Sequence, residues 1–97
     1  MAEVGLVQRG YRVSGRVQGV SYRAWARGVA NEMGLRGTVR NRSDGSVEVH
    51  VIGSAVAVGE FEDKLWEGPA AAQIDGVDPV HSPEPIPAEP FLILSTA

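Results

Sequence analysis

Gly15-Arg16-Val17-Gln18-Gly19-Val20-Ser21-Tyr22-Arg23 joins two periodicities, and the fold turns on where one gives way to the other. Before it, Tyr11, Val13 and Val17 fall on one face at period two, with Gly15 between them. Arg12, Ser14 and Arg16 fall on the opposite face, the alternation of a half-buried strand. From Tyr22 onward the apolar residues Tyr22, Trp25, Ala26, Val29, Ala30 and Met33 recur at helical spacing and form one stripe. Gly34 stands where a helix end favours a left-handed residue, and Leu35 stands where a residue packs back on that end. The stretch therefore reads as a strand end, a glycine-bounded loop and a first helical turn.

Such a loop has a chemical consequence. Backbone N–H groups at a helix N-terminus have no helical partner, and with the helix dipole they suit an anion such as phosphate. Gly19 removes a Cβ where the backbone would wrap closely around it. Arg23 lies in the first turn, off the apolar stripe, where its guanidinium can return to the same anion with a two-pronged contact. By itself the loop favours a plain β-to-α turn followed by a solvated arginine, because short glycine patterns are weak evidence.

The rest of the chain supplies the frame. Gly37 to Arg42 alternates, with Val39 and Asn41 on one face and Thr38, Arg40 and Arg42 on the other. Arg42-Ser43-Asp44-Gly45 is a turn signal. Ser46 to Gly53 alternates again, with Val47, Val49 and Val51 inward and Glu48, His50 and Ile52 outward, so the pair reads as a hairpin. Ser54 can cap a second helix running to about Trp66, with Val58, Phe61 and Leu65 in the core. Gly59 weakens that helix and Gly68-Pro69 stops it. Ala72 to Val80 reads as a strand that Gly76 and Pro79 make irregular or edge-like. The prolines of 79–90 predict a stiff polar loop, and Phe91 to Leu94 a closing strand, either short or paired to the preceding one. The order β-α-β-β-α-β predicts an α+β fold, the ferredoxin-like split βαβ arrangement, with two helices on one face of an antiparallel sheet.

Ninety-seven residues at 43% hydrophobic predict one domain, 1–97, with one modest core. No cysteine is present, which excludes a disulfide framework, a cysteine nucleophile and thiolate metal sites. No stretch has signal-peptide or membrane-spanning character, so a cytoplasmic location is the expectation. The net charge of −3 is unevenly spread: eight arginines lie in the first 42 residues against Glu3 and Glu32, and the remainder carries Lys64 against ten carboxylates. A basic first part suits an anionic ligand, or equally solvated faces that pair with each other in the fold.

Asn41 is the second site candidate. An amide on the same face as Val39 needs partners. It tethers its own hairpin turn, or it faces the anion site and holds a water as donor and acceptor at once.

Gly15 to Arg23 resembles the first signature of the acylphosphatase family, G-R-V-Q-G-V-x-[Phe or Tyr]-R. Gly37-Thr38-Val39-Arg40-Asn41, followed by Gly45, Val47 and Gly53, resembles its second signature in residue types and spacing. The resemblance runs from about Tyr11 to Gly53. Two departures stand out: Thr38, where the family more often has an aromatic, and the proline-rich segment. The resemblance implies a hydrolase of acyl phosphates, with inorganic phosphate as product and inhibitor. It implies that Arg23 binds phosphate, that Asn41 positions the attacking water, and that the loop Val17, Gln18, Gly19, Val20, Ser21 and Tyr22 cradles the phosphoryl oxygens. It further implies no metal, no cofactor and no phosphoenzyme.

These roles agree with the residues. Phosphoryl transfer passes through a loose transition state, so positioning and charge stabilisation suffice, and a carboxylate leaves without a dedicated acid. There is no G-x-x-x-x-G-K-[ST] and no Asp, Glu and His cluster at metal-ligand spacing. His50 and His81 stand alone and read as surface histidines. Ser21 lacks a nearby base and reads as a helix N-cap. The competing readings are a non-catalytic phosphate- or carboxylate-sensing module and a nucleic-acid-binding domain of the same topology. The second would want exposed aromatics on the sheet, whereas Tyr11 and Phe91 are expected to face inward, so no nucleic acid is the expectation. Without a membrane-spanning segment, and with nothing that demands more than one copy, no membrane and a monomer are expected as well.

Overall fold

Three valines at alternate positions, Val47, Val49 and Val51, are completely buried and mark the middle of the core. They lie on β3 (Val47–Ser54), which pairs antiparallel with β1 (Leu6–Arg16) on one side and β2 (Arg36–Asn41) on the other. The computed structural model describes residues 5–82, 86–87 and 90–97. β4 (Gln73–Val80) adds to the outer edge of β1, and the two-residue β5 (Leu92–Ile93) adds to the outer edge of β2. The strand order is β4-β1-β3-β2-β5. β1 and β2 flank β3 and are joined through α1 (Tyr22–Glu32), the split βαβ arrangement expected from the sequence. α2 (Ala55–Glu67) joins β3 to β4. Tyr22, Ala26 and Ala30 of α1 and Val58, Phe61 and Leu65 of α2 meet the inward valines in one cluster.

β5 modifies the expected sheet. It runs parallel to β2, with Thr38 opposite Leu92 and Val39 opposite Ile93, so the sheet is mixed at that edge. It does not return along the preceding strand, because β4 occupies the opposite edge of the sheet. Phe91 drives this docking: it is buried and meets Phe61 at a ring-centroid distance of 6.0 Å. Tyr11 is also buried, so both sheet aromatics face inward as expected. Pro79 sits in the edge strand β4, where a missing N–H is tolerated. Of the stiff loop expected over 79–90, residues 83–85 and 88–89 lie outside the described residues.

The ends of the elements follow from local chemistry. At the end of α1, Gly34 has φ 71°, its N–H donates to Asn31 O at 3.1 Å, and the Leu35 N–H donates to Ala30 O at 2.9 Å. These two bonds form a Schellman motif, with buried Leu35 as its apolar contact. Ser54 caps α2 from an extended backbone, its hydroxyl accepting from the Ala57 N–H at 3.2 Å. The ladder between β1 and β4 shifts register between Ser14 and Gly15. A Cβ on Gly15 would lie 2.2 Å from the Gln73 carbonyl oxygen, so only glycine admits β4 at this bulge. The bulge lies immediately before the loop that leads into α1.

Candidate active site

The chain leaves β1 at Arg16 and enters α1 at Tyr22. Ser21 holds the N-cap position with φ 64° and ψ 25°, and its side chain makes no capping bond. This corrects the expected role of Ser21. A capping hydroxyl needs extended backbone at that position, as Ser54 has, and the left-handed backbone of Ser21 does not provide it. Holding a residue with a side chain in this conformation costs roughly 1–3 kcal/mol. The first helical bond here runs from the Trp25 N–H to Ser21 O at 3.0 Å. Among the described residues, no acceptor pairs with the N–H groups of Gln18 through Ala24. Gly19, with φ 74°, has no atom within 4 Å of where a Cβ would stand, so its backbone faces open space.

That space is a cavity of about 470 Å³. Val17, Gly19 and Ser21 line it from the loop, Tyr22, Arg23 and Ala24 from the first turn of α1, Asn41 from β2 and Ile93 from β5. The loop and helix start thus meet the end of β2, a segment well separated from them in sequence. Gln18 and Val20 do not line the cavity. Val20 packs against the core, and the Gln18 side chain turns to the β2–β3 turn, where its amide nitrogen donates to the carbonyls of Arg42 and Ser46, each at 2.8 Å.

Arg23 is half-buried and has no ion pair or hydrogen bond among the described residues. Asn41 is half-buried, and its Oδ1 is fully covered without a hydrogen-bond partner. An orphaned buried acceptor costs about 1–3 kcal/mol. The tethering role open to Asn41 belongs instead to Asp44. Asp44 Oδ1 accepts from the Ser46 N–H at 2.9 Å and the Ser46 hydroxyl at 2.6 Å. Those bonds hold the Asp44 carboxyl below its ordinary range. Asn41 is thereby left free to face the cavity.

Tyr22 supports the site from beneath. Its hydroxyl donates to Leu65 O at 2.8 Å, which fastens the first turn of α1 to the last turns of α2. Burial raises its phenol above the ordinary range, so it stays a neutral donor. His50 is not the lone surface histidine expected. Its Nδ1 lies 2.7 Å from Ser82 Oγ and its Nε2 lies 2.9 Å from Glu48 Oε2. It belongs to the outer face of the sheet, opposite the inward valines, and does not line the cavity. His81 is exposed. Among the described residues, no group of three or more His, Asp or Glu is placed to hold a metal ion.

Free amides at a helix start, an unpaired guanidinium and an asparagine side chain without a partner among the described residues, set around one cavity, match a tetrahedral anion with a water beside it. Residues 9–93 match the sequence model of the acylphosphatase family. The chain is 47% identical over 89 residues to an acylphosphatase of Rhodopseudomonas palustris, an alignment covering 87% of this chain and 90% of that one. It is 55% identical over 65 residues to an acylphosphatase of Xanthomonas oryzae pv. oryzae, covering 67% of this chain and 74% of that one. The crystal structure of acylphosphatase from Bacillus subtilis superposes with a TM-score of 0.83 at 30% identity, covering 93% of this chain and 99% of that one.

Proposed function

The chain belongs to the acylphosphatase family and hydrolyses the carboxyl–phosphate bond of acyl phosphates, and from that premise we propose which of its residues carry the reaction. Arg23 and the backbone of the 17–22 loop hold the phosphoryl oxygens. Asn41 holds the attacking water. The observation that carries this assignment is the convergence on one cavity, at the start of α1, of an unpaired Arg23 and of Asn41, whose side chain has no hydrogen-bond partner among the described residues.

The chemistry needs little more. The Asn41 side-chain amide hydrogen-bonds the water and aims one of its lone pairs at phosphorus. A bond forms from the water oxygen to phosphorus, and the bond from phosphorus to the acyl oxygen breaks. Its electron pair leaves on a carboxylate, and the proton of the water ends on the phosphate product or in solvent. Negative charge on the three equatorial oxygens is met by loop N–H groups, the helix dipole and the Arg23 guanidinium. A carboxylate is stable without protonation, so no acid at the leaving side is required. Tyr22, held neutral and already donating to Leu65, takes no part in proton transfer.

The reading extends to the setting. One domain over 1–97, acting as a monomer in the cytoplasm without metal, cofactor or nucleic acid, is sufficient for this mechanism. Burial of Tyr11 and Phe91 supports the absence of nucleic acid, since neither offers a stacking surface. No helix of the described residues is long and apolar enough to cross a membrane.

The test is hydrolysis of benzoyl phosphate with a chelator present, for the unaltered protein beside Asn41→Ala. The expected result is metal-independent turnover that falls by at least about 10²-fold in the variant, while inorganic phosphate still binds as an inhibitor. Full turnover by Asn41→Ala would remove the water-positioning role. Turnover abolished by the chelator would remove the metal-free mechanism.

A further inference from the structure

The phosphoryl cradle and the water-holding amide stand on separate parts of the chain, and a single side chain joins them. The loop and Arg23 belong to the β1–α1 connection, and Asn41 belongs to the end of β2. The Gln18 amide nitrogen donates one proton to the Arg42 carbonyl and the other to the Ser46 carbonyl, both at 2.8 Å. The Arg42 carbonyl is one peptide beyond Asn41. The Ser46 carbonyl also accepts the Arg42 N–H at 2.9 Å, which closes the hairpin at that point. Gln18 therefore grips the hairpin at the rung next to Asn41 while its backbone links Val17 and Gly19, both of which line the cavity. An amide NH₂ has two donors, and both are used here.

We infer that Gln18 is a positioning residue, whose side chain sets the distance between the phosphoryl cradle and the water on Asn41. The inference rests on the site reading above. It touches neither phosphate nor water through its side chain. Its effect falls on the alignment of attack rather than on anion binding, because Arg23 and the helix N-terminus remain on one rigid element without it. Misplacement of a reacting group by about 1 Å is enough to cost on the order of 10²-fold in rate.

Two substitutions separate this from a structural role. Gln18→Leu keeps the shape and removes both donors. Gln18→Glu, when ionised, turns an acceptor toward two carbonyl oxygens; when protonated, it supplies one O–H donor again. The measurements are kcat on benzoyl phosphate and the inhibition constant of inorganic phosphate, each as a ratio to the unaltered protein across pH. The expected result is a fall in kcat of roughly 10- to 100-fold for both variants near neutral pH, with phosphate inhibition within about twofold. On acidification the kcat ratio of Gln18→Glu recovers and that of Gln18→Leu does not. In an Asn41→Ala background, Gln18→Leu costs little more, because the two residues act on one water.

Unchanged kcat in both variants overturns the inference, as does phosphate affinity falling in step with kcat or a Gln18→Glu ratio flat with pH. If Asn41→Ala alone retains turnover, the underlying site reading fails. If Asn41→Ala is inactive and the Gln18 variants are not, only the positioning role fails.

Discussion

On the helix side of the β2–β3 hairpin, Asn41 Oδ1 is buried with no partner, and Arg23 lines the same cavity with its charge unpaired among the described residues. On the outer side, polar groups of similar exposure are joined in a chain. Arg42 pairs with Glu48 at 3.1 Å, Glu48 with His50 at 2.9 Å, and His50 with Ser82 at 2.7 Å. Gln8 extends the chain by donating to Ser82 O at 2.9 Å and Ser82 Oγ at 3.0 Å. Asn41 on one side and Glu48 and His50 on the other stand on the same pair of strands, β2 and β3. The paired side gains from each bond it makes, though it leaves the buried Arg42 Nε without a hydrogen bond, whereas the open side carries the cost of desolvated groups kept ready for a ligand. Backbone shows the same contrast. Ser21, at the cavity, is the one residue other than glycine with positive φ among the described residues.

The comparison predicts opposite outcomes for truncation on the two sides. Arg23→Ala should produce the largest effect: a loss of turnover of 10²-fold or more together with loss of inhibition by inorganic phosphate, because charge is removed from ground and transition states alike. Its stability should be nearly unchanged, since no bond within the protein is broken. A retained phosphate affinity would place the anion elsewhere. Asn41→Ala should follow in size. Beside its loss of turnover, it removes an orphaned buried acceptor and should unfold at the same denaturant concentration as the parent or higher. A clear fall in stability would show Asn41 to be a structural tether and would break the comparison.

Much of the frame was legible because it is local. The change of period at Tyr22, the alternation of Val47, Val49 and Val51, the Ser54 cap and the Gly34 stop each depend on neighbours within a few residues. What was not legible depends on which distant segments meet. β5 pairs with β2 because that edge is open, and nothing in Leu92-Ile93 names its partner. His50 finds Glu48 across one pleat, but it finds Ser82 only through the return of the chain beyond β4. The sequence left open whether Asn41 tethers the turn, and the structure gives that bond to Asp44, three residues further on. The two donors of Gln18 were visible, and their acceptors were not.

Ser21 offers a smaller test. Glycine adopts φ near 64° without a Cβ penalty, so Ser21→Gly should raise stability by about 1 kcal/mol if the left-handed backbone is strained by the site. Denaturant unfolding reads this directly. The same substitution loosens the loop in the absence of phosphate, so phosphate should bind more weakly by a few-fold. Lower stability would mean that the serine side chain holds the loop through a contact that outweighs the strain.

The smallest effect belongs to the paired side. Burial pushes the Glu48 carboxyl up, but hydrogen bonding and charge from His50, followed by those from Arg42, pull it down further, and the net is below the ordinary range. A carboxyl whose folded pKa lies below its unfolded value adds stability above the unfolded pKa and loses it as pH falls through the folded one. Glu48→Gln keeps the shape and removes the charge. It should therefore cost on the order of 1 kcal/mol or less near neutral pH, and the difference from the parent should shrink as pH drops below about 4. Urea unfolding of both proteins at the two pH values measures it. Turnover should stay within twofold, because this chain of bonds ends on the Arg42 side chain while the site takes hold of the Arg42 carbonyl through Gln18. A tenfold loss of turnover in a folded Glu48→Gln protein would join the two sides into one apparatus, with the paired face holding Asn41 in place from behind.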